Sequence, residues 1–186
     1  EEIRKEKQPF FTSILTITNH HPFDVHQEYN LNLGSREVHK FMNTLYYSDE
    51  QLGIFIEKAK KENWYDNTII VITSDTSWHG ESIEKANNYD EFVRIKSKIP
   101  LLIIGGPIHK PTVVGQFGSQ IDIAPTLTDM LNFSRITPWM GVSFFEKHSN
   151  SFALTNRPGM YWSVMNAKGS FHLENDKIVH FFGGLV

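Results

Sequence analysis

The run Thr68–Thr73 constrains the fold most, because its six residues are all β-branched and its inner four are all Ile or Val. A run of this length without polar alternation is typical of a parallel strand that is covered on both faces. Pro100–Ile104 repeats the pattern, and Phe10–Thr18 is rich in aromatic and β-branched residues. These three segments predict strands of a mainly parallel central sheet.

A helix is predicted over Glu37–Lys61, between the predicted strands Phe10–Thr18 and Thr68–Thr73. Apolar residues recur there at intervals of three, four and seven, from Val38 to Ala59. Ser35 is the expected N-cap of this helix. Strand, helix and strand in this order predict an α/β fold, a three-layer sandwich with the helix on one face of the sheet.

Shorter strands are predicted towards the C-terminus, where the pattern changes after Gly141. They form a small antiparallel sheet with a turn at Asn175–Asp176. We therefore expect an α/β core over about 9–145 and an antiparallel subdomain over about 146–186. The predicted strands are Tyr161–Ala167, Phe171–Glu174 and Lys177–Phe182.

Composition excludes some classes of function. The chain has 186 residues, a net charge of −3 and no basic stripe, which argues against a nucleic-acid partner. It has no cysteine, so disulfides, thiolate catalysis and cysteine metal sites are excluded. No stretch approaches the roughly 18 apolar residues that a membrane span needs.

The first candidate site is the segment Ser74–Gly80, which follows the run Thr68–Thr73 directly. Ligands bind beyond the carboxyl ends of strands in open α/β sheets, so Asp75 stands where a ligand is expected. With His79 four residues on, it offers the carboxylate and imidazole that suit a divalent cation. The alternative is a turn-capping Asp75 and a surface His79.

The second candidate is Asn19–Phe23, where His20 and His21 follow a predicted strand. The two histidines are suited to an anionic substrate oxygen or a metal, and the alternative is a solvated pair. A third segment, Gly118–Leu127, offers no chemistry, and we interpret it as a packing and capping segment with Asp122 as helix cap.

Taken in order, these segments resemble the lipoteichoic acid synthase-like branch of the sulfatase/alkaline phosphatase superfamily. The match runs from about Pro9 to Phe145. It rests on four motifs in family order: Asn19-His20-His21-Pro22-Phe23; Tyr65-Asp66-Asn67-Thr68 leading to Ser74-Asp75; Ile99-Pro100-Leu101-Leu102-Ile103-Ile104; and Gln120, Asp122, Pro125, Thr126 and Leu127.

The resemblance implies a metal site with Asp75 and His79 as ligands. It implies one divalent ion, manganese first and zinc or magnesium as alternatives. His20 would bind a phosphate oxygen or the leaving group, and His21 could take its place. The family has a histidine directly after the metal-binding aspartate, and this chain has Thr76 there.

The resemblance also implies that a covalent Thr or Ser nucleophile lies upstream of Glu1, in the N-terminal half of the same domain. We therefore expect this chain alone to be inactive and to expose an apolar patch where that half would pack. The N-terminal half is thus one expected partner.

The implied activity is metal-dependent transfer or hydrolysis of phosphoglycerol groups on cell-envelope polymers or lipids. The substrate would be an anionic phospholipid or a glycan-linked phosphoglycerol. Upstream helices outside this chain would anchor the protein to the membrane, with the catalytic domain outside the cytoplasm. The alternatives are a sulfatase, a phosphoethanolamine transferase, or a non-catalytic binding remnant.

Overall fold

The structure is a computed structural model that describes residues 3–78, 80, 85–133, 138–146, 151–157, 161–174 and 177–183. The chain forms two compact units. The first unit consists of Glu1–Ile83 and Ile99–Lys110, and the second of Glu84–Lys98 and Pro111–Val186. The predicted antiparallel strands lie in the second unit, together with residues from well before position 146. The predicted division into a core over about 9–145 and a subdomain over about 146–186 stays a prediction.

The first unit contains helix α1 (Glu37–Ala59) and strands β1 (Ile69–Thr73) and β2 (Leu101–Gly105). The two strands pair antiparallel, with Ile69 opposite Gly105 and Thr73 opposite Leu101. The prediction of a parallel arrangement is therefore wrong for this pair. An apolar run indicates how a strand is covered, but it carries no information on the direction of the neighbouring strand.

The segment Phe10–Thr18 forms no strand, which corrects the third predicted strand. Phe10 packs edge-on against Trp64, but the apolar side chains after it face solvent: Phe11 is 91% exposed, Leu15 81% and Ile17 79%. A strand is stable only beside a partner that satisfies its backbone groups, and no described strand lies alongside this segment. The segment is therefore rich in residues that favour strands, yet it forms no strand in this structure.

Helix α1 begins and ends close to the prediction. Arg36 occupies the N-cap position without a side-chain cap bond, so Ser35 is not the cap. The residues that α1 buries are Val38, Thr44 and Ala59. Beside α1, the Tyr29 ring packs edge-on against Tyr47 at 4.8 Å between centroids.

The second unit contains helices α2 (Tyr89–Ser97) and α3 (Ile123–Met130) and a four-stranded sheet. All neighbouring strands of this sheet pair antiparallel in sequence order, which confirms the small C-terminal sheet. The predicted turn at Asn175–Asp176 lies outside the described residues. The first strand was not predicted. The strands are β3 (Ala153–Arg157), β4 (Tyr161–Met165), β5 (Gly169–Glu174) and β6 (Lys177–Gly183).

Helix α2 lies in a stretch that we interpreted as a polar loop. Its N-cap is Asn88, whose side-chain oxygen accepts a hydrogen bond from the Glu91 amide at 2.9 Å. Its apolar face is Tyr89, Phe92 and Val93, and Val93 is fully buried beside Tyr161 and Met165 of β4. A nine-residue helix repeats this spacing too few times for the pattern to stand out among its charged residues.

None of the helices in the described part of the chain has the length and apolarity that crossing a membrane requires.

Candidate functional site

The two candidate loops meet through their aromatic residues in the first unit. Trp78, in the loop after β1, stacks on Phe41 of α1 with ring centroids 4.1 Å apart and planes 15° apart. Phe23, in the loop of His20 and His21, contacts the Trp78 ring edge-on at 5.5 Å. Phe23 and Phe41 are themselves 5.7 Å apart, so the three rings form one closed cluster. We call Phe23, Phe41 and Trp78 the aromatic clamp.

The loop of His20 and His21 is fastened to α1 at both ends. At its start, the Ser48 hydroxyl of α1 donates to the Asn19 side chain at 3.0 Å. At its end, Phe23 is buried although its φ is +61°, a conformation that non-glycine residues adopt at a cost of about 1–3 kcal/mol. Packing of the Phe23 ring against Phe41 and Trp78 offsets this cost, and such strain is frequent at functional sites.

His20 and His21 have different environments. His20 Nδ1 lies 2.9 Å from the carbonyl oxygen of His21, and a carbonyl can only accept, so Nδ1 carries the proton. This leaves Nε2 of the exposed His20 ring to meet a substrate atom. The His21 ring instead packs edge-on against Phe23 at 5.7 Å. The geometry therefore favours His20 over His21 as the residue that contacts substrate.

Asp75 lies two residues beyond the end of β1, and its side chain is exposed. Its Oδ1 accepts a hydrogen bond from the Thr76 amide at 2.8 Å, and the Ser74 hydroxyl donates to the Thr76 carbonyl oxygen. The strand end is fastened by Thr73, whose hydroxyl donates to the carbonyl oxygen of Pro100 at 2.8 Å. The loop thus turns sharply and presents a carboxylate beyond the strand, as predicted.

The residues described so far do not complete a metal site. Across the described ranges, no three His, Cys, Asp or Glu side chains are grouped so that they could hold a metal ion. The predicted second ligand, His79, lies outside the described residues. Asp75 is therefore one suitable oxygen donor, and the shared ion stays a prediction.

The third segment is structural, as interpreted, but Asp122 occupies the N-cap position of α3 without a side-chain cap bond, which corrects its predicted role as the cap. Asp122 accepts hydrogen bonds from the Ser119 amide at 2.7 Å and from the Val142 amide at 2.8 Å. The Thr126 hydroxyl donates to the Asp122 carbonyl oxygen and accepts from the Phe144 amide at 3.0 Å. This part of the motif ties α3 to the chain around residue 143 and carries no reactive group.

A buried polar cluster in the second unit was not predicted. His172 is fully buried, with Nδ1 at 2.7 Å from the Ser163 hydroxyl and Nε2 at 2.9 Å from the Ser170 hydroxyl. Ser170 also hydrogen-bonds Asp90, and Asp90 pairs with Arg94 at 2.7 Å. Since the Asp90 carboxylate only accepts, Ser170 donates to it and accepts from His172 Nε2–H, which leaves Nδ1 to accept from Ser163.

This cluster is structural. Ser163 and His172 are 1% and 0% exposed, so no substrate reaches the hydroxyl or the imidazole. Burial raises the pKa of Asp90, but hydrogen bonds from Arg94 and Ser170 and nearby positive charge outweigh it, and the net shift is downward. Burial also raises the pKa of Tyr89 to about 12, together with its hydrogen bond to Glu174. The cluster fastens α2 to the sheet.

A shallow cleft of about 370 Å³ lies elsewhere in the second unit, lined by Asp129, Phe133, Ser143, Glu146 and their neighbours. Two of these lining residues are bonded to each other, because the Ser143 hydroxyl donates to the Asp129 carboxylate at 2.7 Å. None of the predicted site residues lines it. Its chemistry offers no reason to place the active site there.

Comparison with known proteins agrees with the motif order. The sulfatase family profile matches residues 1–133, and the chain belongs to this family. Within the alkaline phosphatase superfamily it is lipoteichoic acid synthase-like. Lipoteichoic acid synthase from Staphylococcus saprophyticus is 30% identical over 161 residues, which cover 80% of this chain and 25% of that protein.

Solved structures agree with the same assignment of fold. A protein in the alkaline phosphatase superfamily from Vibrio parahaemolyticus matches with a TM-score of 0.76 and 26% identity, over 96% of this chain and 42% of that one. The lipoteichoic acid synthase LtaP from Listeria monocytogenes matches with a TM-score of 0.67 and 20% identity, over 86% and 43%. The chain spans about a quarter of the length of the curated relatives that it matches.

Proposed function

We propose that the full-length protein transfers phosphoglycerol groups from an anionic phospholipid to an acceptor in the cell envelope. The observation that carries the proposal is the aromatic clamp. It brings the His20 loop and the Asp75 loop into contact beside α1, and Asp75 lies two residues beyond the end of β1. The lipoteichoic acid synthases among its relatives supply the substrate class.

In this proposal each residue has one role. His20 holds a phosphate oxygen or the leaving oxygen with Nε2, because Nδ1 is engaged with the His21 carbonyl oxygen. Asp75 is a ligand of one divalent ion, manganese first and zinc or magnesium as alternatives, and His79 is its second ligand. Such an ion neutralises charge on the phosphoryl oxygens. The Thr or Ser nucleophile belongs to the N-terminal half of the domain.

The exposed segment Phe10–Thr18 supports the proposed partnership with that N-terminal half. No strand in the described part of the chain lies beside its backbone, and Phe11, Leu15 and Ile17 lie in solvent, as in an uncovered sheet edge. A preceding part of the same domain could add a strand to this segment. Membrane anchoring by helices outside this chain, and action outside the cytoplasm, belong to the proposal through the resemblance alone.

Vesicle assays of the purified full-length protein test the activity. We expect release of diacylglycerol from phosphatidylglycerol vesicles when Mn²⁺ is added, and loss of release in Asp75→Ala. Vesicles of phosphatidylethanolamine and a chromogenic sulfate ester are assayed in parallel. Release from the former would indicate a phosphoethanolamine transferase, and hydrolysis of the latter a sulfatase.

A non-catalytic binding remnant is the remaining alternative, and Thr76 is the observation that favours it. If no substrate is turned over with Mn²⁺, Zn²⁺ or Mg²⁺, and calorimetry detects no binding of these ions, the enzymatic proposal is wrong. Asp75→Asn is the matched variant for calorimetry, because it preserves shape and a hydrogen-bond acceptor while removing the charge.

A further inference from the structure

The aromatic clamp joins three parts of the chain that are far apart in sequence. Phe23 follows the two histidines, Phe41 lies in the second turn of α1, and Trp78 lies three residues after Asp75. Trp78 is the member that touches both other rings from the Asp75 side, with centroids at 4.1 and 5.5 Å. Trp78 therefore links the Asp75 loop both to α1 and to the other candidate loop.

The loop is shaped to receive this indole. A Cβ atom on Gly80 would overlap the six-membered ring of Trp78, so only glycine permits the observed approach. On its other side the ring lies almost parallel to Phe41, which is held in a 23-residue helix. Trp78 is thus enclosed between a rigid helix and the backbone of its own loop.

The Asp75 end of the loop is anchored at β1, where the Thr73 hydroxyl donates to the carbonyl oxygen of Pro100 at 2.8 Å. The hydrogen bonds that Ser74 and Asp75 make to Thr76 shape the turn that follows. Trp78 adds a contact from this loop to Phe23 of the other candidate loop. A half-buried indole with two rotatable bonds makes such a contact at a low cost in conformational entropy.

We infer that Trp78 is a positioning residue, which sets the place of the Asp75 carboxylate relative to the His20 imidazole through its contacts with Phe41 and Phe23. The inference rests on the proposed function, since it concerns the same two loops. Reactions that need two groups aligned on one phosphate lose rate steeply when either moves by about 1 Å. Trp78 therefore acts on rate without touching substrate.

Hydrogen–deuterium exchange of the full-length protein tests the mechanical part of the inference without any substrate or metal. We expect Trp78→Ala to accelerate exchange at least ~10-fold in peptides covering both 19–23 and 74–80, because the clamp protects both loops. Trp162→Ala, which removes a half-exposed tryptophan of the second unit, is the matched control and leaves both peptides unchanged. Acceleration at 74–80 alone would overturn the inference.

Kinetics distinguish a positioning role from a merely structural one. We expect Trp78→Ala to lower kcat ~10- to 100-fold with KM within about threefold of wild type, and Trp78→Phe to restore most of the rate. Gly80→Ala is the second variant, because it displaces the indole without removing any clamp atom. It should resemble Trp78→Ala in both assays, and wild-type kcat in Trp78→Ala would contradict the inference.

The proposed activity and the positioning role of Trp78 can be disproved independently of each other. If the wild-type protein turns over no substrate, the proposed function is wrong, and the exchange measurement still decides the role of Trp78. If Trp78→Ala unfolds the whole protein, exchange rises in every peptide, and Trp78→Phe and Gly80→Ala decide instead. Asp75→Ala should abolish turnover with unchanged exchange at 19–23, which separates loss of a reacting group from loss of position.

Discussion

At the scale of single residues, the proposed chemistry depends on side chains that contribute little to stability. Asp75 and His20 are both exposed, so removing either exposes no apolar surface and leaves no cavity. Truncating a residue of the aromatic clamp should instead destabilise the fold, because the three rings pack against one another. Activity and stability should therefore separate on substitution.

We predict that Asp75→Ala removes activity of the full-length protein and lowers its free energy of unfolding by less than about 0.5 kcal/mol. Its Oδ1 bond to the Thr76 amide is exposed to water, which can replace it. Vesicle assays and urea unfolding of the same preparation measure the two effects. A large loss of stability would indicate that Asp75 serves the fold instead.

We predict that His20→Ala lowers the rate more than His21→Ala, by ~10- to 100-fold, with little change in metal affinity. The reason is that His20 has a free Nε2 whereas the His21 ring is packed against Phe23. Activity and Mn²⁺ calorimetry on both variants check this. Loss of Mn²⁺ binding in His20→Ala would mean that His20 is a ligand.

We predict that His172→Ala destabilises the second unit by about 3 kcal/mol, because it opens a cavity in a buried site and removes the His172 acceptor of the Ser163 hydroxyl. Urea unfolding measures the change. His109→Ala, at an exposed histidine, is the control and should shift stability by less than about 0.5 kcal/mol. Equal effects of the two substitutions would show that the cluster contributes nothing.

At the scale of elements, α2 depends on its side-chain contacts with the sheet more than on its own helical tendency. It has nine residues, so it is too short to be stable alone. Tyr89 at its start donates to Glu174 of β5 at 2.8 Å, and Asp90 reaches Ser170 of the same strand. The two bonds dock the first turn of the helix on β5.

This docking should be lost at high pH. The folded state raises the pKa of Tyr89 from 10.0 to about 12, so the neutral phenol is favoured on folding. The stabilisation that the neutral Tyr89 phenol gives the folded state is fully present below the unfolded pKa near 10. It is lost as pH rises through the folded pKa of about 12. Unfolding by urea across this range measures the slope, and Tyr89→Phe should flatten it. An unchanged slope in Tyr89→Phe would contradict the assignment.

At the scale of the whole molecule, the exposed segment Phe10–Thr18 is the feature least compatible with a self-sufficient fold. Ile14 and Ile17 are 65% and 79% exposed, within a segment of strand-forming residues. Such a segment invites pairing with another strand, including that of a second copy of the chain. The chain by itself is therefore expected to self-associate.

We predict that the double substitution Ile14→Thr and Ile17→Thr reduces self-association of the isolated chain and destabilises the full-length protein. Threonine preserves β-branching but has less apolar surface than isoleucine. The substitution therefore weakens apolar contacts with whatever covers the segment and leaves its strand-forming tendency in place. Sedimentation velocity and thermal unfolding measure the two effects. Val113→Thr, at a residue 95% exposed outside this segment, is the control and should change neither. An effect of equal size in Val113→Thr would show that the segment is not special.

Prediction from sequence succeeded where a single local pattern decides the outcome. The helix α1 follows from its apolar spacing, and the C-terminal strands follow from alternation and turn residues, since both patterns repeat within a few residues. The motif order also indicated the family before any geometry was known. Asp75 beyond the end of β1 follows from the same local reasoning.

The remainder required tertiary structure, because it depends on residues that are distant in sequence. The direction of β2 relative to β1 and the solvation of Phe10–Thr18 are decided by which segments become neighbours, and apolar composition is the same in either case. The clamp and the His172 cluster are invisible in the sequence for the same reason. Phe23, Phe41 and Trp78 become one unit only when the chain folds, since stacking depends on ring positions and not on spacing.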